Sequence, residues 1–165
     1  MDTSVIEELR AKYIGAVEDE ALIGQALSLI DNVDDKTPAI EAYEAAFVVL
    51  RAKHAFWPIK KMKYLKSGLP KLDTLVANYP VEVEIRYLRL LSCYYLPRFL
   101  GRSDTVNQDF KALAYLLPDA QAAYPSKLYY DMVQFVVTNS DLSHDERAAL
   151  HVILDEAPRM STASR

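Results

Sequence analysis

The sequence predicts an all-α protein of about eight helices packed as antiparallel pairs. Apolar residues recur three and four positions apart, as in the series through Tyr43, Phe47 and Leu50, and this spacing places one apolar stripe on a helix. Only four glycines occur among the 165 residues, which disfavours a β-rich or loop-rich fold. No stretch shows sustained strand-like alternation of apolar and polar residues, since the brief alternation from Val81 to Ile85 runs straight into a helical pattern.

Helix start and stop signals divide the chain. Thr37 is typical of an N-cap, and Pro38 follows it at the first helical position. Ser4 and Ser143 each precede a glutamate by three residues, which matches a capping box. We expect Pro70 to kink or split the fourth helix, because proline removes a backbone hydrogen bond. The predicted helices are 4–17, 20–32, 38–56, 59–78, 81–95, 104–117, 125–138 and 143–156.

The length of the chain fits one domain, which we place at 1–157, followed by a frayed tail at 158–165. Its apolar runs are far shorter than the roughly 20 residues that cross a bilayer. The single cysteine, Cys93, excludes an intrachain disulfide and indicates a reducing compartment. We therefore expect a cytoplasmic location.

A weak internal repeat is visible in the helix starts. Pro38, Pro80 and Pro125 each begin a predicted helix, with spacings of 42 and 45 residues. Helical-repeat proteins have periods of roughly 34 to 47 residues. Proline is common at helix starts for its own reasons, so a true repeat and a coincidence both remain open.

One segment resembles a known family. The sequence EIRYLR at 84–89 is followed by PRFLG at 97–101 and by Asp109. This pattern resembles the signature of a family of uncharacterised bacterial proteins that look tetratricopeptide-like, over roughly residues 40–115. The sequence departs from the family at Tyr87, where phenylalanine is usual, and at Arg102, where tyrosine is usual. The resemblance implies a tetratricopeptide-like short superhelix and no particular activity.

The net charge of −4 conceals three blocks of opposite sign. Residues 1–50 carry a net charge of −8, residues 51–102 carry +8 and residues 103–165 carry −4. Between Arg51 and Lys71 there is no acidic residue. This basic segment either binds an acidic peptide, a phosphate or a nucleic-acid backbone, or is a solvated face neutralised by the acidic N-terminal helices. The acidic balance of the whole chain disfavours nucleic acid.

Two arginines lie three positions apart in an otherwise apolar helix. Arg86 and Arg89 share a helix face, and a buried guanidinium needs a carboxylate or carbonyl partner. Asp109 or Glu44 could form a structural ion pair with Arg86. The alternative is an anion-binding groove in which the arginines recognise carboxylates. In the next connection, we expect Phe99 and Leu100 to be tucked into the core, with a functional loop as the alternative.

Catalytic signals are weak. His144, His151 and Asp155 could share a face of the last helix, but their spacing is not that of a known metal site. Cys93 has apolar neighbours typical of an inert buried thiol. We expect no catalytic residue, no metal and no cofactor, and the chain is more plausibly a binding protein than an enzyme.

These patterns predict a non-enzymatic module that binds a protein or acidic peptide on a basic concave surface, drawn from helices near 38–56, 81–95 and 125–138. The alternative is a binder of an anionic small molecule, or an enzyme, with its site between helices around Arg86 and Asp109. A homo-oligomer is a further possibility, whereas we expect neither nucleic acid nor a membrane as partner. The predicted partner-binding residues are Lys53, Lys60, Lys63, Arg86, Arg89, Tyr43, Tyr87 and Tyr94.

Overall fold

A computed structural model describes residues 2–158 of the chain, with side chains from Thr3 onward. Within this range it contains eight α-helices and no strand, which confirms the predicted all-α class. The predicted tail at 158–165 lies, after Pro158, outside the described residues. The helices are α1 (Asp2–Ala16), α2 (Ala21–Asp31), α3 (Pro38–His54), α4 (Pro58–Asn78), α5 (Val83–Tyr94), α6 (Ser103–Leu116), α7 (Ser126–Asn139) and α8 (His144–Asp155).

The helices form two compact units, divided between Arg102 and Ser103. The first contains α1 to α5 and the second contains α6 to α8. No helix in the described range is both long enough and apolar enough to span a membrane. The internal repeat and the tetratricopeptide-like superhelix stay predictions.

In the first unit α3 is the central helix, and it packs against α1, α2, α4 and α5. Its most extensive contact is with α4. Gly68 of α4 allows this close approach, because a Cβ atom there would lie 2.5 Å from Val49 Cγ2 and 2.7 Å from the Ala45 carbonyl oxygen. Pro70 does not split α4, which continues to Asn78. The core of this unit is built from fully buried side chains that include Leu9, Ile23, Ile30, Phe47, Leu72 and Leu88.

Of the three predicted N-cap residues, Thr37 and Ser143 are confirmed. The Thr37 side chain accepts a 3.3 Å hydrogen bond from the Ile40 amide, and Pro38 occupies the first helical position. Ser143 forms the complete capping box of α8 with Glu146. Ser4 lies inside α1, which begins at Asp2, and is therefore not an N-cap.

After α5 the chain forms a 3-10 turn, Arg98–Leu100, that ends at Gly101. Gly101 has φ of +74°, in the left-handed region that glycine adopts without a steric penalty. The expectation that Phe99 is tucked into the core is wrong, since 84% of its surface is exposed.

The second unit packs α6, α7 and α8 together around a small apolar core. Tyr129 is fully buried, and its phenol donates a 2.9 Å hydrogen bond to the Leu117 carbonyl. This bond joins α7 to the short 3-10 turn Leu117–Asp119 that follows α6. The other fully buried side chains of the unit include Leu113, Met132, Val133, Val136 and Leu150.

Candidate functional site

Tyr43 belongs to a buried polar cluster rather than to an open surface. Only 3% of its surface is exposed, and its phenol donates a 2.9 Å hydrogen bond to Glu84 Oε2. Arg10 binds the same carboxylate through Nε at 2.8 Å and Nη2 at 3.0 Å. Burial, followed by the Glu84 carboxylate, raises the pKa of Tyr43. This cluster fastens α1, α3 and α5 to one another, which corrects the predicted place of Tyr43 in a binding surface.

Arg86 and Arg89 are also internal. Arg86 is 8% exposed and donates to the Pro80 carbonyl oxygen from Nε at 3.3 Å and from Nη2 at 2.8 Å. Arg89 is 6% exposed, and its Nη1 lies 3.3 Å from Asp73 Oδ1. Guanidinium groups that are themselves buried and that bind oxygens of the same chain do not present their charge to a partner. Both arginines therefore hold α5 to neighbouring parts of the chain, and neither lines an open anion-binding groove.

Two residues, Glu44 and Asp109, were predicted as ion-pair partners of Arg86. Glu44 pairs with Lys36, with Nζ and Oε2 2.7 Å apart, so it is not the partner of Arg86. Asp109 is fully buried in α6, and its pairing with Arg86 stays a prediction. The two remaining aromatic candidates, Tyr87 and Tyr94, are half-buried.

Several basic side chains of the basic segment bind the carbonyl ends of helices. Lys53 Nζ donates to the Val17 carbonyl at 2.8 Å, just beyond the last residue of α1. His54 Nε2 lies 2.8 Å from the Ala16 carbonyl oxygen. Lys61 Nζ donates to the Ala52 carbonyl of α3 at 3.2 Å. Cations are favourable at these ends because the helix dipole is negative there. This part of the positive charge therefore stabilises the fold.

Lys60, Lys63 and Lys66 are different. All three are exposed, and among the residues that the structure describes none of them has an ion-pair or hydrogen-bond partner. They follow one another at intervals of three along the N-terminal half of α4. Residues three apart on a helix are neighbours on its surface. The three ammonium groups therefore form a positive strip along the N-terminal half of α4.

Beside these lysines the turn between α3 and α4 exposes large apolar side chains. Phe56 is 82% exposed, Trp57 62% and Ile59 85%. The rings of Phe56 and Trp57 touch edge to face, with centroids 5.1 Å apart. Met62 continues the apolar surface one turn along α4. We call residues 56–66 the lysine-rimmed tip.

The local sequence explains why the lysine-rimmed tip projects. Ala55 and Trp57 are both extended, with ψ near 133°, and Pro58 starts α4. The connection is too short to fold back over its own side chains. A shallow open groove of about 470 Å³ runs from the turn along α4. Its lining consists of Pro58, Ile59, Met62, Lys63 and Lys66.

The apolar part of the lysine-rimmed tip was not predicted. Trp57 and Met62 both fit apolar stripes of their helices, and such residues are usually buried. The signal that marks their exposure is the tripeptide Phe56-Trp57-Pro58. The proline begins a new helix, so the stripe of α3 cannot continue through Trp57.

A second open groove, of about 410 Å³, lies between the start of α3 and the second half of α4. It contains two lysines, Lys36 and Lys71, and two glutamates, Glu41 and Glu44. Because Lys36 and Glu44 pair with each other, the charges of this groove largely cancel. The groove therefore has no marked preference for an anion.

In the second unit His144 and His151 lie on one face of α8, with ring centroids 6.1 Å apart. Within the described part of the chain, no group of three or more histidine, cysteine, aspartate or glutamate side chains is arranged to hold a metal ion. Cys93 is buried and is not in a disulfide.

Comparison with protein-family models, with curated proteins and with solved structures gives no significant match. The resemblance of residues 40–115 to the tetratricopeptide-like bacterial family therefore stays a prediction.

Proposed function

We propose that this chain is a non-enzymatic interaction module that docks on an anionic partner through the lysine-rimmed tip. One observation carries the proposal. Phe56, Trp57 and Ile59 are each more than 60% exposed, and they lie directly before the exposed lysines Lys60 and Lys63.

The two halves of this surface have complementary physical roles. Aromatic and long aliphatic side chains are enriched at interfaces, because removing them from water supplies affinity. Exposed lysines add little to affinity in bulk water, but they steer a negatively charged partner and exclude a positive one. A contiguous apolar patch on the surface of a folded unit is typical of an interaction site.

The proposal keeps part of the sequence-based hypothesis and moves its location. Lys60 and Lys63 remain in the site, whereas Tyr43, Arg86 and Arg89 are internal. The alternative of an anionic-ligand binder or enzyme around Arg86 and Asp109 has less support, because the Arg86 guanidinium is buried and donates to the Pro80 carbonyl. Buried Cys93, with no disulfide, supports the cytoplasm as the proposed compartment.

Trp57 provides the assay, because it is the single tryptophan of the chain and lies in the proposed site. The full-length protein is titrated with two defined anionic probes, a synthetic amphipathic peptide rich in glutamate and leucine, and vesicles that contain phosphatidylglycerol. We expect at least one probe to shift the Trp57 emission to shorter wavelength, since docking removes the indole from water.

A triple variant at the lysine-rimmed tip, Lys60→Glu with Lys63→Glu and Lys66→Glu, is expected to lose this response. The matched control reverses three exposed lysines elsewhere, Lys71, Lys111 and Lys127, and changes the net charge equally. The proposal fails if neither probe shifts the emission, or if the control variant loses the response to the same extent.

A further inference from the structure

We infer that the anionic partner of the lysine-rimmed tip is the surface of a lipid bilayer. This inference rests on the proposed function, since it names the partner of the same surface. It depends on the shape of this surface, the order of its residues and the charges around it.

The apolar side chains of the lysine-rimmed tip are at the end of a helical hairpin, where α3 ends at His54 and α4 begins at Pro58. Phe56 and Trp57 lie in the short connection between two packed antiparallel helices, and Ile59 is in the first turn of α4. A protein partner would need a pocket shaped to receive a projecting turn. A bilayer has no such requirement, because its interfacial region deforms around an inserted side chain. Tryptophan is enriched at this interface, where its ring is in an apolar layer and its N–H group remains hydrated.

With the connection between α3 and α4 pointing into the bilayer, the lysines are at the depth of the lipid phosphates. With a helical rise of 1.5 Å per residue, Lys60 is about 4 Å behind Trp57 along α4, and Lys63 is about 9 Å behind it. Apolar faces of surface-bound helices are buried about 5–10 Å into the boundary between headgroups and acyl chains. When the aromatic rings reach that layer, the ammonium groups are level with the headgroups. Long lysine side chains adjust further by extending toward the phosphates.

The charges around the lysine-rimmed tip favour an anionic surface. From Ala45 to Leu72 the chain contains no aspartate or glutamate. An acidic cluster on another element is the turn between α1 and α2, with exposed Glu18, Asp19 and Glu20. Lys53 Nζ lies 3.6 Å from Glu18 and partly neutralises it. The helices α1 and α2 pack on α3, whereas α4 packs on α3 and α5. The end of α4 that carries these lysines is therefore the end that meets the bilayer.

The sequence led us to expect no membrane partner because its apolar runs are too short to cross a bilayer. Docking at a surface has no such length requirement. A few apolar side chains combined with a basic patch give reversible binding that depends on anionic lipid.

The test uses the full-length protein and vesicles of two compositions, pure phosphatidylcholine and phosphatidylcholine mixed with phosphatidylglycerol. We expect co-sedimentation and a blue shift of Trp57 emission with the mixed vesicles, and neither with pure phosphatidylcholine. Raising the salt concentration should release the protein, because salt screens exposed charges. Each exposed lysine near an anionic membrane contributes about a fivefold increase in affinity. Replacing Lys60, Lys63 and Lys66 by glutamine should therefore weaken binding about a hundredfold.

An apolar variant separates insertion from simple charge attraction. Phe56→Ser with Ile59→Ser keeps every lysine and the Trp57 reporter, and both side chains are exposed, so the fold is retained. We expect vesicle binding to fall by at least tenfold. The matched control is Tyr115→Ser with Val152→Ser, two exposed apolar residues of the second unit, and its binding should be unchanged. Circular dichroism confirms that the variants are folded.

The glutamate- and leucine-rich peptide distinguishes this inference from the proposed function. If the peptide binds at the lysine-rimmed tip and the mixed vesicles do not, the partner is a protein segment and the membrane inference is overturned while the interaction module stands. If neither binds, both are overturned. The membrane inference is also overturned if the protein binds neutral and anionic vesicles equally. The same holds if the Phe56→Ser/Ile59→Ser variant binds the mixed vesicles as tightly as the unmodified chain.

Discussion

The phenol of Tyr43 in α3 and the carboxylate of Glu84 in α5 form a 2.9 Å hydrogen bond inside the first unit. Arg10 of α1 donates two hydrogen bonds to the same carboxylate, from Nε to Oε2 and from Nη2 to Oε1. A buried carboxylate is costly unless its oxygens are bound. The Glu84 carboxylate therefore joins α1, α3 and α5, which are distant in sequence, and the relative position of these helices depends on it.

Replacing Tyr43 by phenylalanine should test this cluster. The ring stays in place, but Glu84 loses one buried donor. We expect the free energy of unfolding to fall by about 2 kcal/mol, the usual value for a hydrogen bond to a charged group, in urea unfolding followed by circular dichroism. Tyr115→Phe is the control, because Tyr115 is 83% exposed, and its effect should be close to zero. Equal effects of the two variants would contradict a structural role for the bond.

The same tyrosine makes stability depend on alkaline pH. Burial, followed by the Glu84 carboxylate, raises the pKa of Tyr43 above its usual value near 10. Its contribution to stability is complete below pH 10 and is lost as the pH rises further, because the unfolded chain then releases a proton that the folded chain retains. The free energy of unfolding should fall by about 1.4 kcal/mol per pH unit from this group. Urea unfolding at several pH values above 10 should show a shallower decline in Tyr43→Phe. An identical slope in both proteins would exclude Tyr43 as the source.

Gly68 should be intolerant of even one methyl group. An added Cβ would meet the Val49 side chain at 2.5 Å and the Ala45 carbonyl at 2.7 Å, and the backbone oxygen cannot move aside. We expect Gly68→Ala to lower the free energy of unfolding by about 1–3 kcal/mol, as overpacking does. Gly24→Ala is the matched control, because its Cβ would have no neighbour within 4 Å. That variant should gain up to about 1 kcal/mol from helix propensity. The same sign for both changes would contradict the close packing of α4 on α3.

The capping box of α8 should contribute measurably to the second unit. The Ser143 hydroxyl accepts a 3.2 Å hydrogen bond from the Glu146 amide. Removing it with Ser143→Ala should cost about 1 kcal/mol. Ser4→Ala removes a hydroxyl that begins a similar sequence pattern but lies within α1, and it should have little effect. Thermal unfolding of the two variants, followed by circular dichroism, compares them directly.

The helices were predictable because their signals are local. Each observed helix begins and ends within about two residues of its predicted bounds. The capping box at Ser4 failed because the pattern of serine and glutamate does not exclude a helix that starts earlier. Pro70 was expected to kink or split α4, and a split does not occur, since α4 is continuous from Pro58 to Asn78 and packs against both α3 and α5. Tertiary contacts decided these two cases, and a single sequence does not show them.

The candidate site was only partly predictable for a related reason. Charge can be counted in a sequence, but the partner of each charge cannot. Lys60 and Lys63 project outward as expected, whereas Arg86 binds a carbonyl of the preceding turn and Lys53 binds the end of α1. The exposure of Trp57 was not predicted, because its spacing matches the apolar stripe of α3, and a residue on that stripe would be buried if α3 continued. The exposed apolar surface depends on where one helix ends, and that boundary lies at a proline.

The burial pattern of α4 has a consequence for local unfolding. The helix begins at Pro58, yet its first buried side chain is Leu65. Its first two turns therefore contribute no buried side chain to the core, and a polar contact that holds them to α3 is the hydrogen bond from Lys61 to the Ala52 carbonyl. We expect amide hydrogens in the first two turns of α4 to exchange with solvent much faster than those after Leu65. Opening and closing of these turns is nearly independent of global unfolding, so the segment can adapt to what it touches while the rest of the unit stays folded.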